Sequence, residues 1–193
     1  MNRFWKGLLP IALVIALLVA SIPAFAAPSP TTKAIGSVKV SSATYNGKKQ
    51  TPKVTVYDTA GNKISSKYYS VKVKGTPKNA GTYKVTVTAK APYTGKKTGN
   101  FVIKKARNPF KIKVGKQSFK RNRKKNQSTS IRVSGVKGSA KVGRWYSTSS
   151  KVYVRGGKVI IKKGFRGSAT LSIRTHATKN YKETRKYITI TVK

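Results

Sequence analysis

From Thr82 the chain reads Thr-Tyr-Lys-Val-Thr-Val-Thr-Ala, and this alternation constrains the fold more than any other feature. Tyr83, Val85, Val87 and Ala89 fall on one face, with Thr82, Lys84, Thr86 and Thr88 on the other. A period of two rich in β-branched residues predicts a half-buried strand. The same alternation recurs at Val54/Val56, Val71/Val73, Phe101/Ile103, Ile131/Val133, Val152/Val154, Ala169/Leu171/Ile173 and Ile188/Ile190/Val192. No comparable stretch after the first 26 residues has the period of a helix. Asn46-Gly47, Ala60-Gly61-Asn62, Asn79-Ala80-Gly81, Gly156-Gly157 and Gly164 punctuate the runs as turns. Many short strands at regular spacing predict an all-β chain of antiparallel β-sandwiches.

Charge is the second constraint. The 193 residues hold 43 Lys+Arg against 2 Asp+Glu, a formal net charge of +41. Such a balance with only 38% hydrophobic residues drifts toward disorder if order along the chain is ignored. The order decides otherwise, because lysines and arginines fall mostly on outward strand positions or in turns. There they leave the core free to form and discourage edge-to-edge pairing of strands. Their mutual repulsion still costs stability, most at low ionic strength.

Residues 1–26 read as a secretory signal peptide. Arg3 and Lys6 make a positive start, Leu8 to Ala20 an apolar run, and Ala24-Phe25-Ala26 a small-residue cleavage site. Pro10 and Pro23 interrupt the run, and its core is short against the ~20 residues of a membrane span. The protein is therefore expected to be exported, secreted or held at the cell surface.

A weak internal repeat divides the remainder. Gly81-Thr82-Tyr83-Lys84-Val85-Thr86-Val87 returns in outline as Gly167-Ser168-Ala169-Thr170-Leu171-Ser172-Ile173. A loop tyrosine follows each copy (Tyr93, Tyr181), then a final alternating strand that ends in Lys. The expected organisation is a linker at 27–35, a first module at 36–106 and a second at 107–193. The seam falls where Lys104-Lys105-Ala106-Arg107-Asn108-Pro109 breaks the alternation.

Tyr45-Asn46-Gly47-Lys48-Lys49-Gln50-Thr51-Pro52, followed by Val54-Thr55-Val56-Tyr57-Asp58 and Gly61, resembles the opening of a bacterial immunoglobulin-like module. Such modules occur in secreted and cell-wall surface proteins. Tyr69-Ser70-Val71 is similar to the middle strand of the pattern, Asn79-Ala80-Gly81-Thr82 to its next turn, and Tyr93-Thr94-Gly95 to its last loop. Residues 107–193 look like a second module, carried by Gly157-Lys158-Val159, Lys162-Lys163-Gly164 and Asn180-Tyr181. The resemblance implies two tandem antiparallel immunoglobulin-like β-sandwich domains acting as spacer, stalk or adhesive modules. It brings no catalytic residues, and the near absence of acids departs from it.

Catalysis is poorly supplied. There is no Cys, so no disulfide, zinc knuckle or thiol nucleophile is available. His176 would need an acid to orient it, and Glu183 is the only one in its module. One His and two scattered acids make no metal-ligand set, and no cofactor is expected. An intramolecular Lys–Asn isopeptide bond would need a buried acid. Asp58 and Glu183 both lie beside apparent loops and read as exposed, so that bond is not expected.

What the sequence does supply is cationic surface. Lys120, Arg121, Arg123, Lys124 and Lys125 form the densest basic run, and Lys162, Lys163 and Arg166 a second. Both read as loops between strands and as natural contacts for a polyanion. Trp145 and Tyr146 are adjacent and follow Arg144, so they sit on opposite faces and at most one is exposed; Trp145 is expected in the core. Tyr68-Tyr69 carries the same ambiguity. The expected function is a non-enzymatic structural or adhesive protein of the bacterial surface, with no small-molecule substrate. Its partners would be anionic envelope polymers: teichoic acid, acidic polysaccharide or phospholipid headgroups. The alternative is sequence-independent binding of extracellular nucleic acid through phosphate contacts.

Overall fold

The alternating runs fold as strands in a computed structural model that describes residues 33–193. The expected signal peptide, and all but the end of the expected linker, lie outside the described residues. The first eight strands are β1 (Lys33–Val40), β2 (Ala43–Thr44), β3 (Val54–Asp58), β4 (Lys63–Ile64), β5 (Tyr69–Val73), β6 (Gly81–Ala89), β7 (Tyr93–Thr94) and β8 (Lys96–Lys104). They make two sheets, ordered β4-β3-β1-β7 and β2-β8-β6-β5. Between the sheets lie Ile35, Val56, Ile64, Val85, Val87, Phe101 and Ile103. Burying each such side chain contributes roughly 1.5–3 kcal/mol.

The remaining strands are β9 (Ala106–Arg107), β10 (Lys111–Val114), β11 (Ser118–Phe119), β12 (Gln127–Ser134), β13 (Tyr146–Ser147), β14 (Val152–Arg155), β15 (Lys158–Ile161), β16 (Gly167–Thr175), β17 (Tyr181–Lys182) and β18 (Thr184–Val192). They form sheets β10-β12-β15-β14 and β11-β18-β16-β13. Their core is separate from the first: Phe119, Ile131, Val152, Val159, Ile161, Ala169, Leu171, Ile190 and Val192. The chain is thus all-β, with the two-layered architecture of immunoglobulin-like sandwiches.

Several expectations are refined by the structure. Residues 33–35 are the start of β1 rather than linker, because Ile35 is an inward position of the strand and enters the first core. Gly36 follows at a bulge in the β1–β3 register. A Cβ there would fall 2.4 Å from the Asp58 carbonyl oxygen, so only glycine admits the close approach. Val71 faces the same side as Val87 but stays 41% exposed. Its strand β5 is the edge of the sheet, where an inward side chain lacks full cover from the facing layer.

The segment that breaks the alternation is tightly held. Asn108 is buried; its N–H donates to Thr184 Oγ1 at 2.9 Å and its side-chain amide to the Lys137 carbonyl at 2.9 Å. Its Oδ1 accepts from the Lys137 N–H, so every polar group of the side chain is engaged. Here β9 pairs in parallel with β17.

This crossing draws the turn at Asn79-Ala80 against the loop at Asn180-Tyr181. Asn180 Oδ1 accepts the Ala80 N–H at 2.8 Å, and its Nδ2 donates to Asn79 Oδ1 at 3.0 Å. The Asn180 carbonyl accepts the Ala106 N–H. Tyr181 meets Tyr45 edge-on, with ring centroids 5.4 Å apart at 85°. Gly138 lies beneath the Tyr181 ring, which a Cβ would approach at 2.8 Å. Aromatic contact and an amide bonded at both its oxygen and its nitrogen thus join the two sandwiches.

Candidate functional site: a basic loop cluster

The two basic runs, separate in sequence, meet in space. Residues 120–126 lead from β11 into β12, and residues 162–166 join β15 to β16. The Gly164 N–H donates to the Asn122 carbonyl at 2.7 Å, and the Lys163 N–H to Asn126 Oδ1 at 2.8 Å. Arg121 Nε donates to the Gly164 carbonyl at 3.1 Å. Asparagines fix the basic loop internally, since Asn122 Oδ1 accepts from the N–H groups of both Lys124 and Lys125 at 3.0 Å. Gln127 Nε2 closes the loop base on the Lys120 carbonyl. The backbone of this polycationic loop is thus held largely by the neutral side chains of Asn122, Asn126 and Gln127.

All eight expected residues, Lys120, Arg121, Arg123, Lys124, Lys125, Lys162, Lys163 and Arg166, are exposed. Their roles differ. Arg121 spends its Nε on a carbonyl and helps fasten one loop to the other. Lys162 places its ammonium 5.9 Å from the centre of the Tyr153 ring. The side chains of Arg123, Lys124, Lys125 and Lys163 are exposed and present their charge to solvent. Two further cations join the cluster through backbone bonds that sequence alone does not reveal: the Lys151 carbonyl accepts the Lys162 N–H, and the Lys193 carbonyl accepts the Arg121 N–H.

Neither side-chain carboxylate lies there. Glu183 pairs with Arg174 at 3.2 Å, just before β18 begins, whereas the cluster lies where β18 ends beside Phe119. Nine residues of strand separate the two, roughly 30 Å. The Glu183–Arg174 pair is half exposed and contributes little to stability.

Asp58 departs from its expected exposure. It is buried, because the β3–β4 turn folds back over it and supplies donors to both oxygens. Oδ1 accepts the N–H groups of Asn62 at 2.8 Å and Ala60 at 3.0 Å, while Oδ2 accepts the Asn62 side-chain amide at 3.3 Å. The Asn62 N–H is the main cause that holds the carboxyl below its ordinary value; burial opposes it, and the Asn62 amide, the Ala60 N–H and the charge of Lys33 reinforce it. Its burial serves its own turn.

The remaining candidates separate as follows. His176 is exposed at the end of β16, with its N–H on the Lys141 carbonyl. Trp145 packs half-buried against the second core while Tyr146 is exposed. Tyr68 and Tyr69 both pack against the first core. Among the described residues no group of three His, Cys, Asp or Glu side chains could hold a metal ion. A second basic surface, missed in sequence, is an open cleft of about 620 Å³ on the outer face of β5, β6 and β8, lined by Lys72, Lys74, Lys84 and Lys96 with Thr86 and Thr88. The signal was present in the outward positions of those strands, where Lys alternates with Val.

Residues 35–107 match the MBG domain family, which bears out the resemblance of the first module to bacterial immunoglobulin-like surface modules. No curated protein matches the chain. Among solved structures, domains 4 and 5 of the S-layer protein SbsC are similar at 16% identity, covering 82% of this chain and 98% of that one, with a TM-score of 0.30. The longer S-layer protein rSbsC is similar at 16% identity over 83% of this chain and 28% of its own length, TM-score 0.31. The Yersinia pseudotuberculosis adhesin InvE is similar at 13% identity over 84% of this chain and 59% of its own, TM-score 0.27. The chain therefore spans only a minor part of the longer S-layer protein.

Proposed function

We propose that this is an exported, non-enzymatic structural or adhesive protein of the bacterial surface, held to anionic envelope polymers by its charge. The observation that carries the reading is the joining of two basic runs into one exposed cluster with no side-chain carboxylate beside it. A net charge of +41 draws any polyanion from a distance, and the loop cluster adds a fixed, densely charged contact. Teichoic acid is the polymer we favour, because a flexible phosphodiester chain can follow an irregular cluster of lysines and arginines. Charge-assisted bonds from Lys and Arg to phosphate are roughly twice as strong as neutral hydrogen bonds.

Sedimentation of the chain with bacterial cell walls, before and after teichoic acid is stripped, tests this. Binding that disappears with the stripped polymer and resists duplex DNA as competitor supports the reading. Binding that survives stripping, or that DNA displaces freely, contradicts it and favours a generic nucleic-acid and polyanion binder.

A further inference from the structure

The outer face of the β13–β16–β18 sheet carries a second site of different character. Tyr146 on β13 and Tyr187 on β18 both pair with Ser172 of β16, one from each side. Directly paired residues share a face, so two tyrosines flank a serine across two strand spacings, roughly 10 Å. Leu171 and Ile173 point the other way into the core, which fixes the outward sense of all three. The tyrosines are 54% and 65% exposed, whereas the serine between them is 8% exposed. The face thus carries an exposed aromatic pair with a small polar residue between.

The same face continues in two directions. Toward the end of β18, hydroxyls pair across the strands: Thr170 with Thr189 at 3.4 Å, and Ser168 with Thr191 at 3.2 Å. Each hydroxyl keeps unused donor or acceptor capacity toward solvent. Toward the start of β18 the row is Arg174 and Arg185. Arg174 pairs with Glu183, whereas Arg185 makes no ion pair among the described residues and holds its guanidinium 5.9 Å from the centre of the Tyr146 ring.

We propose that this face binds a carboxylate-bearing polysaccharide. A sugar ring offers C–H groups on its faces, which stack on tyrosine, and hydroxyls around its edge, which suit the serine–threonine track. A ring carboxylate suits the planar fork of Arg185. A chain running along the face would meet aromatic, hydroxyl and guanidinium groups in register. The site lies on the sheet face rather than among the basic loops, so it stands or falls separately from the teichoic acid reading.

The test compares binding of the whole chain to polygalacturonate and to inorganic polyphosphate at physiological salt, by affinity electrophoresis. The double variant Tyr146→Ala/Tyr187→Ala is expected to lose at least about tenfold in polygalacturonate affinity, as two stacking contacts vanish. Tyr146→Phe/Tyr187→Phe keeps the rings and is expected to stay within about threefold, and both variants to bind polyphosphate as the parent does. Unchanged polygalacturonate binding in the alanine variant overturns the proposal. So does an equal loss toward polyphosphate, which would make the effect one of charge or folding. Failure of the parent to bind polygalacturonate, or parent self-association that the alanine variant abolishes, would overturn it as well. Failure of Lys124→Gln/Lys125→Gln to weaken wall binding would instead strike the loop reading alone.

Discussion

Asn180 and Asn79, 101 residues apart, meet side chain to side chain at 3.0 Å, while the other end of the Asn180 amide takes the Ala80 N–H at 2.8 Å. One amide thus engages a turn of the first sandwich from a loop of the second. Beside it, Tyr181 and Tyr45 supply apolar contact. Two small sandwiches are in this way coupled by a specific lock in addition to the chain that joins them.

Replacing Asn180 with Ala leaves the Ala80 N–H and the Asn79 amide without their partner. The expected cost is about 1–3 kcal/mol, read as a lower denaturant midpoint. Tyr181→Ala combined with it is expected to separate the unfolding of the two cores into distinct transitions. A single transition with an unshifted midpoint would contradict the lock.

The two valine-and-leucine faces differ in what they hold. Leu171 has no exposed surface and touches the second core on all sides, so Leu171→Ala is expected to cost about 2–5 kcal/mol. Val71 lies on an edge strand and is 41% exposed; Val71→Ala is expected to stay within about 0.5–1 kcal/mol. Chemical denaturation of the two variants side by side checks the contrast.

Gly36→Ala places a methyl 2.4 Å from the Asp58 carbonyl, which is backbone and cannot swing aside. The β1–β3 bulge must open, so the variant is expected to melt well below the parent and to lose hydrogen-exchange protection along Lys39 and Val56. Protection equal to the parent's would show that the bulge yields freely.

Acid should weaken the first module through Asp58. Its carboxyl titrates below the ordinary value of 3.8 in the folded chain, so the stabilisation is fully present above that value. It is lost as pH falls through the lowered folded value. Asp58→Asn is expected to be less stable than the parent at neutral pH, with the gap closing in acid. Parallel thermal melts across the acid range would show it, and a gap that widens in acid would reverse the sign.

The strands were legible because burial on one face of a sheet imposes a period of two, and that period survives even in a chain this charged. Val85, Val87, Leu171 and Ile190 all face inward as the alternation requires. Position in the sheet was not legible: nothing local marks β5 as an edge, so Val71 read like Val87. Asp58 was misread for a related reason, since its burial depends on a turn folding back rather than on any alternation. The basic runs were visible as runs, but their meeting through Asn122, Asn126 and Gly164 is a tertiary event. Tyr187 was half legible, an aromatic at an outward position in a Thr-rich strand. Its partnership with Tyr146 emerges only from the register on Ser172.

The central claim is that the loop cluster provides a fixed contact with anionic polymer, over and above the diffuse charge. Its most direct test is the salt dependence of binding to purified teichoic acid, from about 50 mM to about 200 mM, where affinities governed by phosphate contacts fall steeply. The parent is compared with Arg123→Gln/Lys124→Gln/Lys125→Gln/Lys163→Gln. A control carries four exposed neutralisations spread over the first module, at Lys48, Lys63, Lys78 and Lys90. The account predicts that the loop variant loses more affinity than the control and has a shallower slope, by roughly 0.7 per neutralised contact. Equal losses from the two variants would contradict it and leave the charge alone as the agent of attachment.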